Sequence, residues 1–478
     1  MKPLSLSSQK FPVSRGTFKL LWSIGALAGS VYATAQPLKR EAREDSIFLH
    51  TVHTEALMRG HSYEDLRSLC KTVGHRLSGS PQAEMAVRWG QNVLEGYGFD
   101  TVYLQPVAVP HWERGTPEVC WMKTANGTVE KWSVLALGGS PPTTGLLEAE
   151  VVYLASLKAL DNLPEGGLKG KIAFFDEAFD PAQRSTFRAY GACAAQRFEG
   201  SVRAAALGAS GVVIRSLASG IDDHPHTGVM STEGDLVPAA ALSTLDANRL
   251  RDVLLAGPVR LSLQLNCRTL TDAASFNVIA ELWGERGTQS EIISFGGHLD
   301  SWDVGEGAHD DGAGVVHSIE ALRLLKVLRY RPKHTLRCVL FMNEENGNFG
   351  GKTYARWVHE RGERHVAALE SDRGGFLPLG FDAVGSEAQV RWLQSMGPRC
   401  AGFGLHEFKK GYGGVDIGPL LEFYPEMLQL GLSINSQRYF DHHHAETDVF
   451  ESVNQRELEL GCAALASMIY LVDRRYMR

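Results

Sequence analysis

Five short runs in the second half of the chain carry the side chains best suited to chemistry. Gly297-His298-Leu299-Asp300-Ser301 leads into Gly307-Ala308-His309-Asp310-Asp311-Gly312. Asn343-Glu344-Glu345-Asn346, Glu370-Ser371-Asp372 and His442-His443-His444, with Asp448 behind, follow in turn. The first, third and fourth of these five segments each stand just past an apolar strand-like stretch, which is where α/β sheets place their sites. Acids at strand ends are ordinarily solvated loop residues or helix caps when taken singly. Gathered at one edge they would repel one another unless a cation held them. Mixed nitrogen and oxygen donors from His and Asp/Glu suit zinc, and a bridged pair of ions would use five of them. On chemistry alone, the order of the ligands stays open.

The elements that must position these groups alternate. Residues 277–283 and 291–295 read as strands, 314–324 as a helix with a long apolar side, and 335–342 as a nearly uninterrupted apolar strand. Residues 350–360 read as helix, 366–369 as a short strand and 455–471 as a last helix. Apolar runs of this kind are buried strands with helices on both faces, so the expectation is a three-layer α/β domain with a mixed central sheet. Upstream, residues 51–97 form two amphipathic helical stretches split by the loop Gly74-His75-Arg76-Leu77-Ser78-Gly79-Ser80-Pro81. Thr101 to Val109 alternates like a strand, and Val119 to Met122 is expected to pair with it antiparallel.

Between about 131 and 270 the pattern changes to short strands and a helix over 202–207, with few candidate catalytic groups. This stretch reads as an insertion. The catalytic domain is then discontinuous, 46–130 plus 271–475.

Taken together these motifs resemble the co-catalytic two-zinc aminopeptidase family, closest to its carboxypeptidase Q (plasma glutamate carboxypeptidase) branch. The resemblance covers nearly the whole chain after the N-terminal segment. It runs through residues 74–81, Val109-Pro110-His111-Trp112-Glu113-Arg114-Gly115, Pro225-His226-Thr227-Gly228, the long His298-Leu299-Asp300-Ser301-Trp302-Asp303-Val304-Gly305 and Tyr439-Phe440-Asp441. It implies that His298, Asp310, Glu345, Asp372 and His444 are zinc ligands, with Asp310 bridging two Zn2+ per chain. The family bond after the bridging acid is usually cis, a costly geometry for a non-proline residue. His444 rather than His443 is the match, because the family ligand precedes an acid by four residues, here Asp448. Glu344 matches the general base, and Asp300 the carboxylate that orients His298 through its other ring nitrogen. The insertion looks like a protease-associated domain. Gly411-Tyr412-Gly413-Gly414-Val415-Asp416 matches a pocket-lining loop.

The implied chemistry is exopeptidase hydrolysis of dipeptides or short peptides with a free N-terminus. Two zinc ions about 3.5–4 Å apart would activate a water and polarise the carbonyl, and Glu344 would move the proton. Dipeptidase and broader aminopeptidase action both remain open, as do a hydrolase of a non-peptide amide and a non-catalytic binding protein retaining the fold. The branch implies a homodimer. Departures from the family pattern are Val449 after Asp448, Arg373 after Asp372, and Asn343 and Asn346 around the glutamate pair. They leave every ligand and the base in place and bear on specificity.

The whole chain sets wide limits. Its 478 residues fit two domains or one with a large insertion, and 48 basic against 55 acidic residues give a charge of -7. Neither a nucleic-acid footprint nor a membrane-seeking surface is evident. The first 35 residues carry Lys2, Lys10, Arg15 and Lys19 without an acid, an apolar run from Leu20 to Ala28, and Ala33-Thr34-Ala35. This reads as a signal peptide cleaved after Ala35, and removing it takes the charge from -7 to -11. The expected location is periplasmic or secreted. The seven cysteines, an odd count without a CxxC pair, predict no disulfide framework.

Overall fold

A computed structural model describes residues 40–287 and 291–476 of the chain. The segment assigned to a signal peptide lies outside the described residues. The chain divides into two compact units at residue 51, and everything below concerns the unit from Val52 onward. No described helix is long and apolar enough to cross a membrane.

Two sheets organise this unit. The first has eight strands in the order Thr101–Glu113, Arg268–Leu282, Thr335–Phe341, Ile292–His298, His365–Glu370, Leu428–Ile434, Pro378–Val384 and Glu407–Lys410. Its centre is parallel: Ile292–His298 is flanked by Thr335–Phe341 and His365–Glu370, and Leu428–Ile434 joins in the same sense. Antiparallel strands lie to either side, so the sheet is mixed. The central sequences IISFGGH and TLRCVLF are buried at every position, as strands covered on both faces must be. Arg337, the charged exception, is held by Glu281 at 2.7 Å and Glu363 at 2.6 Å.

Helices close both faces. Ile279, Val339 and Phe341 pack against Tyr354, Ala355 and Val358 of the helix Phe349–Glu360. On the other face, Leu66, Val316 and Leu458 bring together the helices Ser62–Thr72, Ala313–Val327 and Gln455–Arg475. The helix Pro81–Tyr97 joins that layer, its Gly90 closing on Leu340 and Val278. It starts where the Ser80 hydroxyl accepts from Ala83 N at 3.1 Å and stops at Gly98, which takes a left-handed φ of 65°. The result is the three-layer α/β arrangement expected.

A second eight-stranded sheet is built between residues 119 and 264, with parallel strands Leu147–Leu154, Ile172–Phe175, Gly211–Arg215 and Ala239–Leu242 at its heart. The strand Val119–Thr124 belongs here. It pairs with Val129–Trp132 and Val259–Gln264 rather than with Thr101–Glu113, correcting the expected hairpin. Gly115 decides the path. With φ 83° it lies so close to the Asn266 carbonyl that a Cβ would fall 2.2 Å from its oxygen. The chain therefore runs alongside residues 264–266, and Val119 faces Gln264, while Thr101–Glu113 pairs along its length with Arg268–Leu282. All seven cysteines are buried and free.

Candidate metal centre

The three central parallel strands end side by side, and each hands over to a polar turn. Ile292–His298 ends in His298, Thr335–Phe341 leads to Glu344 and Glu345, and His365–Glu370 leads to Asp372. Gly297 permits the turn holding Asp310 to press on the first strand, because a Cβ there would fall 2.3 Å from Asp311 Oδ2. The Asp310–Asp311 peptide bond is cis.

Asp310 is the hinge of the arrangement. Its Oδ1 lies 3.3 Å from His298 Nε2 and its Oδ2 lies 3.2 Å from His444 Nε2. His298 Nε2 also approaches Asp372 Oδ1 at 3.5 Å, and His444 Nε2 approaches Glu345 Oε2 at 3.1 Å. Five side chains thus form two lobes with one carboxylate between them. Asp310 and His444 are pinned from behind. Asp448 accepts from His309 N at 2.7 Å and from Asp310 N at 3.0 Å. Thr227 O stands 3.2 Å from His444 Nδ1, so that nitrogen carries a proton and Nε2 is turned to the cluster.

Asp300 stands behind both His298 and the turn that carries the glutamate pair. His298 Nδ1 meets the Asp300 backbone carbonyl at 3.0 Å, with the carboxylate further off at 3.7 Å. The carboxylate instead accepts from Asn343 N at 2.7 Å and Glu344 N at 3.1 Å, which sets the turn carrying the glutamate pair. Asp311 is adjacent to His298 and Asp372, but its oxygens are taken by His298 N at 3.0 Å and Gly314 N at 2.9 Å. His443 stacks on His444 with centroids 3.6 Å apart and points Nε2 to within 3.7 Å of Asp310. His442 turns away to Thr447.

Electrostatics make this a site in need of cations. Burial raises Glu345 to about 7, with Asp310 adding to it, and burial with Asp372, Glu345 and Asp310 nearby pushes Glu344 well above the carboxylate range. Asp372 is raised for the same reason. Burial opposes charge on His298 and His444, yet the surrounding acids outweigh it, raising His298 well above its ordinary value and His444 to about 9. Asp310 Oδ2 and Glu345 Oε1 are buried without a hydrogen-bond partner. Imidazole nitrogens and carboxylate oxygens within 4.8 Å of one another, with orphaned oxygens between them, fit divalent zinc-like ions.

A cavity of about 1190 Å³ opens over the cluster, reached by Asp310, Glu344, Glu345, Asp372, His443 and His444. Gly411, Tyr412 and Val415 of the glycine-rich loop line it. Glu370 holds that loop by accepting from Val415 N at 2.7 Å and Ile417 N at 2.9 Å. Arg373 sits in the wall, paired with Asp382 at 2.8 Å and donating to Tyr412 O at 3.1 Å, so it is neither free in solvent nor an unpaired cation. Two contributors escaped the sequence reading, and a third, Trp302, stood in the motif at 298–305 without a role assigned to it. Tyr190 and Arg197 reach the cavity from the segment between the second sheet's parallel strands Ile172–Phe175 and Gly211–Arg215, and Trp302 backs His444 at a 5.7 Å ring separation. Trp302 is itself seated on Gly138, where a Cβ would fall 1.9 Å from the indole. Tyr190 and Arg197 have no local signal, since their partners lie far away in the chain.

Comparison with known proteins decides the family. The model of peptidase family M28 matches residues 277–396. Carboxypeptidase Q of Bos taurus is 33% identical over 93% of this chain and 92% of its own. The chain belongs to peptidase family M28. A crystal structure of a peptidase M28 precursor from Shewanella amazonensis is 33% identical, covers 90% of this chain and 97% of its own, and superposes with a TM-score of 0.85. A zinc aminopeptidase of Bacillus subtilis shares the fold at 18% identity, with a TM-score of 0.62 over 87% of this chain and 96% of its own. Membership of M28 makes the chain a peptidase of the metallo-exopeptidase kind.

Proposed function

We propose that this M28 member is a two-zinc exopeptidase that hydrolyses dipeptides or short peptides with a free N-terminus. The observation that carries it is Asp310, which turns one carboxylate oxygen to each of two histidines. In this reading His298, Asp310 and Asp372 hold one ion, and Asp310, Glu345 and His444 the other. Bound there, the ions would supply Lewis acidity and bring water into its nucleophilic range near neutral pH. Glu344 borders the cavity and lies outside the donor groups gathered within 4.8 Å of one another. Its raised carboxyl pKa, caused first by burial, suits a group that takes a proton from water and passes it to the leaving amine. The surplus of acids on the cavity floor favours an α-ammonium group there, which directs cleavage to the first peptide bond.

The same reading includes export, from the basic and then apolar N-terminal segment of the sequence, and assembly as a homodimer. A mass near 50 kDa by light scattering would remove the dimer.

The test is metal content measured together with turnover of free and N-blocked dipeptides. About two zinc ions per chain, chelator-sensitive turnover, and silence on N-blocked substrates are expected. Glu344→Gln should keep its metal and lose turnover by about 100-fold or more. Wild-type cleavage by that variant would remove Glu344 from the mechanism.

A further inference from the structure

Six arginines are buried among the described residues. In five of them Nε donates to an oxygen: Arg114 to Asp303, Arg215 to Asp176, Arg323 to Glu320, Arg337 to Glu281, and Arg76 to the Leu299 carbonyl. The sixth is Arg197, 3% exposed, whose Nε has no partner. Its Nη2 donates to the Tyr190 hydroxyl at 2.6 Å. Its Nη1 stands 3.4 Å from His444 Nδ1, but that nitrogen faces the Thr227 carbonyl and carries the proton, so it offers no lone pair. No described carboxylate makes an ion pair with Arg197.

The Phe198 and Tyr190 rings lie 4.6 and 5.5 Å from the Arg197 guanidinium carbon and attract the cation, but they offer Nε no hydrogen-bond acceptor, and a buried guanidinium without an anion is costly. Arg197 and Tyr190 both line the cavity that also holds Glu344 and Asp310. Nε and Nη2 form the side-on edge of the guanidinium, the edge with which Arg323 takes both oxygens of Glu320. In Arg197, Nη2 is spent on the Tyr190 oxygen. That oxygen, having accepted, has its own proton to give. The pair therefore holds two donors without an acceptor among the described residues, the Arg197 Nε–H, closed off from solvent, and the Tyr190 O–H. Arg184 and Arg188 line the same cavity, and neither makes an ion pair among the described residues, which adds positive potential to its wall.

We propose that Arg197 and Tyr190 form a carboxylate subsite that takes the C-terminal carboxylate of a short peptide. The proposal rests on the exopeptidase reading for the other end of the substrate. It makes peptide length a matter of chemistry: a dipeptide places its carboxylate at this pair, and a longer or amidated peptide places none there. Arg197 and Tyr190 are thus specificity-determining, with the proton chemistry left to Glu344.

The experiment compares alanyl-alanine, alanyl-alanine amide and alanyl-glutamate α-amide, whose one carboxylate is on the side chain, on the zinc-loaded enzyme and on Arg197→Met. Wild type should favour the free acid over the amide in KM by about tenfold or more, the effect of one charge-assisted pair. Arg197→Met should reduce that preference to about threefold or less. Tyr190→Phe, which keeps the ring, should lose part of it, and covers the case in which Arg197→Met does not fold. Calorimetric binding of L-alanine against L-alaninamide to wild type and both variants reads the subsite without turnover, so an inactive enzyme that still prefers the carboxylate would fault the peptidase reading and not this one. A wild type indifferent to the terminal carboxylate overturns the proposal. So does a variant that loses kcat equally on acid and amide, or one that loses only the preference for the glutamate side chain.

Discussion

Replacing Asp448 by asparagine tests whether the cluster is held from behind. Asp448 is 3% exposed, and its two oxygens accept from His309 N at 2.7 Å and Asp310 N at 3.0 Å. A carboxylate accepts both bonds, whereas an amide keeps one acceptor and turns an N–H against the other backbone N–H. A charge-assisted bond contributes about 1.5–3 kcal/mol, so losing one and weakening its neighbour costs on the order of 3 kcal/mol. That loss falls on Asp310, the residue facing both His298 and His444. Metal affinity of Asp448→Asn (D448N) is therefore expected to fall about 10–100-fold, as for other outer partners of ligands. The assay is bound zinc measured by mass spectrometry after dialysis against graded chelator, with thermal unfolding in parallel. If the variant unfolds earlier yet holds zinc within about twofold of wild type, where a tenfold change is 1.4 kcal/mol, the positioning argument is refuted.

Other perturbations follow from the same packing. Gly314→Ala would place a Cβ 1.7 Å from Ser371 O and 2.3 Å from Asp311 Oδ2, neither of which is free to move. It should cost at least about 1–3 kcal/mol and lower zinc content, both readable on one purified sample. Arg114→Met strips a buried cation from Asp303 at 2.8 Å and Glu118 at 3.2 Å, and should cost about 3–5 kcal/mol in denaturant unfolding. Adding Asp303→Asn should return part of that loss, and a double variant no better than the single one would contradict it. His317 is fully buried with Nε2 unpartnered, and burial lowers its pKa to about 4. The unfolded chain, titrating near 6.5, takes up the proton first, so stability falls as pH drops from about 6.5 toward about 4 by on the order of 3 kcal/mol. His317→Gln should flatten that part of the profile in denaturation from pH 7 to 4; an unchanged slope would assign the acid sensitivity elsewhere.

Much of this protein is written locally. The apolar runs ending at Phe295 and Met342 make buried strands wherever they are placed, because their composition suits a sheet covered on both faces. The polar groups next in sequence must then emerge at the strands' carboxyl ends. His298, Glu344, Glu345 and Asp372 were legible for that reason, and so was their character as a nitrogen and oxygen donor set.

Other outcomes depend on which distant segments meet. Spacing cannot say that Asp311 spends its oxygens on His298 N and Gly314 N while its neighbour Asp310 turns outward to two histidines. Nor could it say that Asp300 binds His298 by its carbonyl and reserves its carboxylate for the glutamate turn. Val119–Thr124 had the alternation of a strand, but its partner Val259–Gln264 lies some 140 residues on, chosen by the close approach of Gly115 to Asn266. Arg197 beside Tyr190 has the same origin. A period of two or 3.6 residues records which face is buried; it carries no record of what is buried against it. Tertiary packing supplies the partners, and with them the difference between an acid that shapes a turn and one left free to hold a cation.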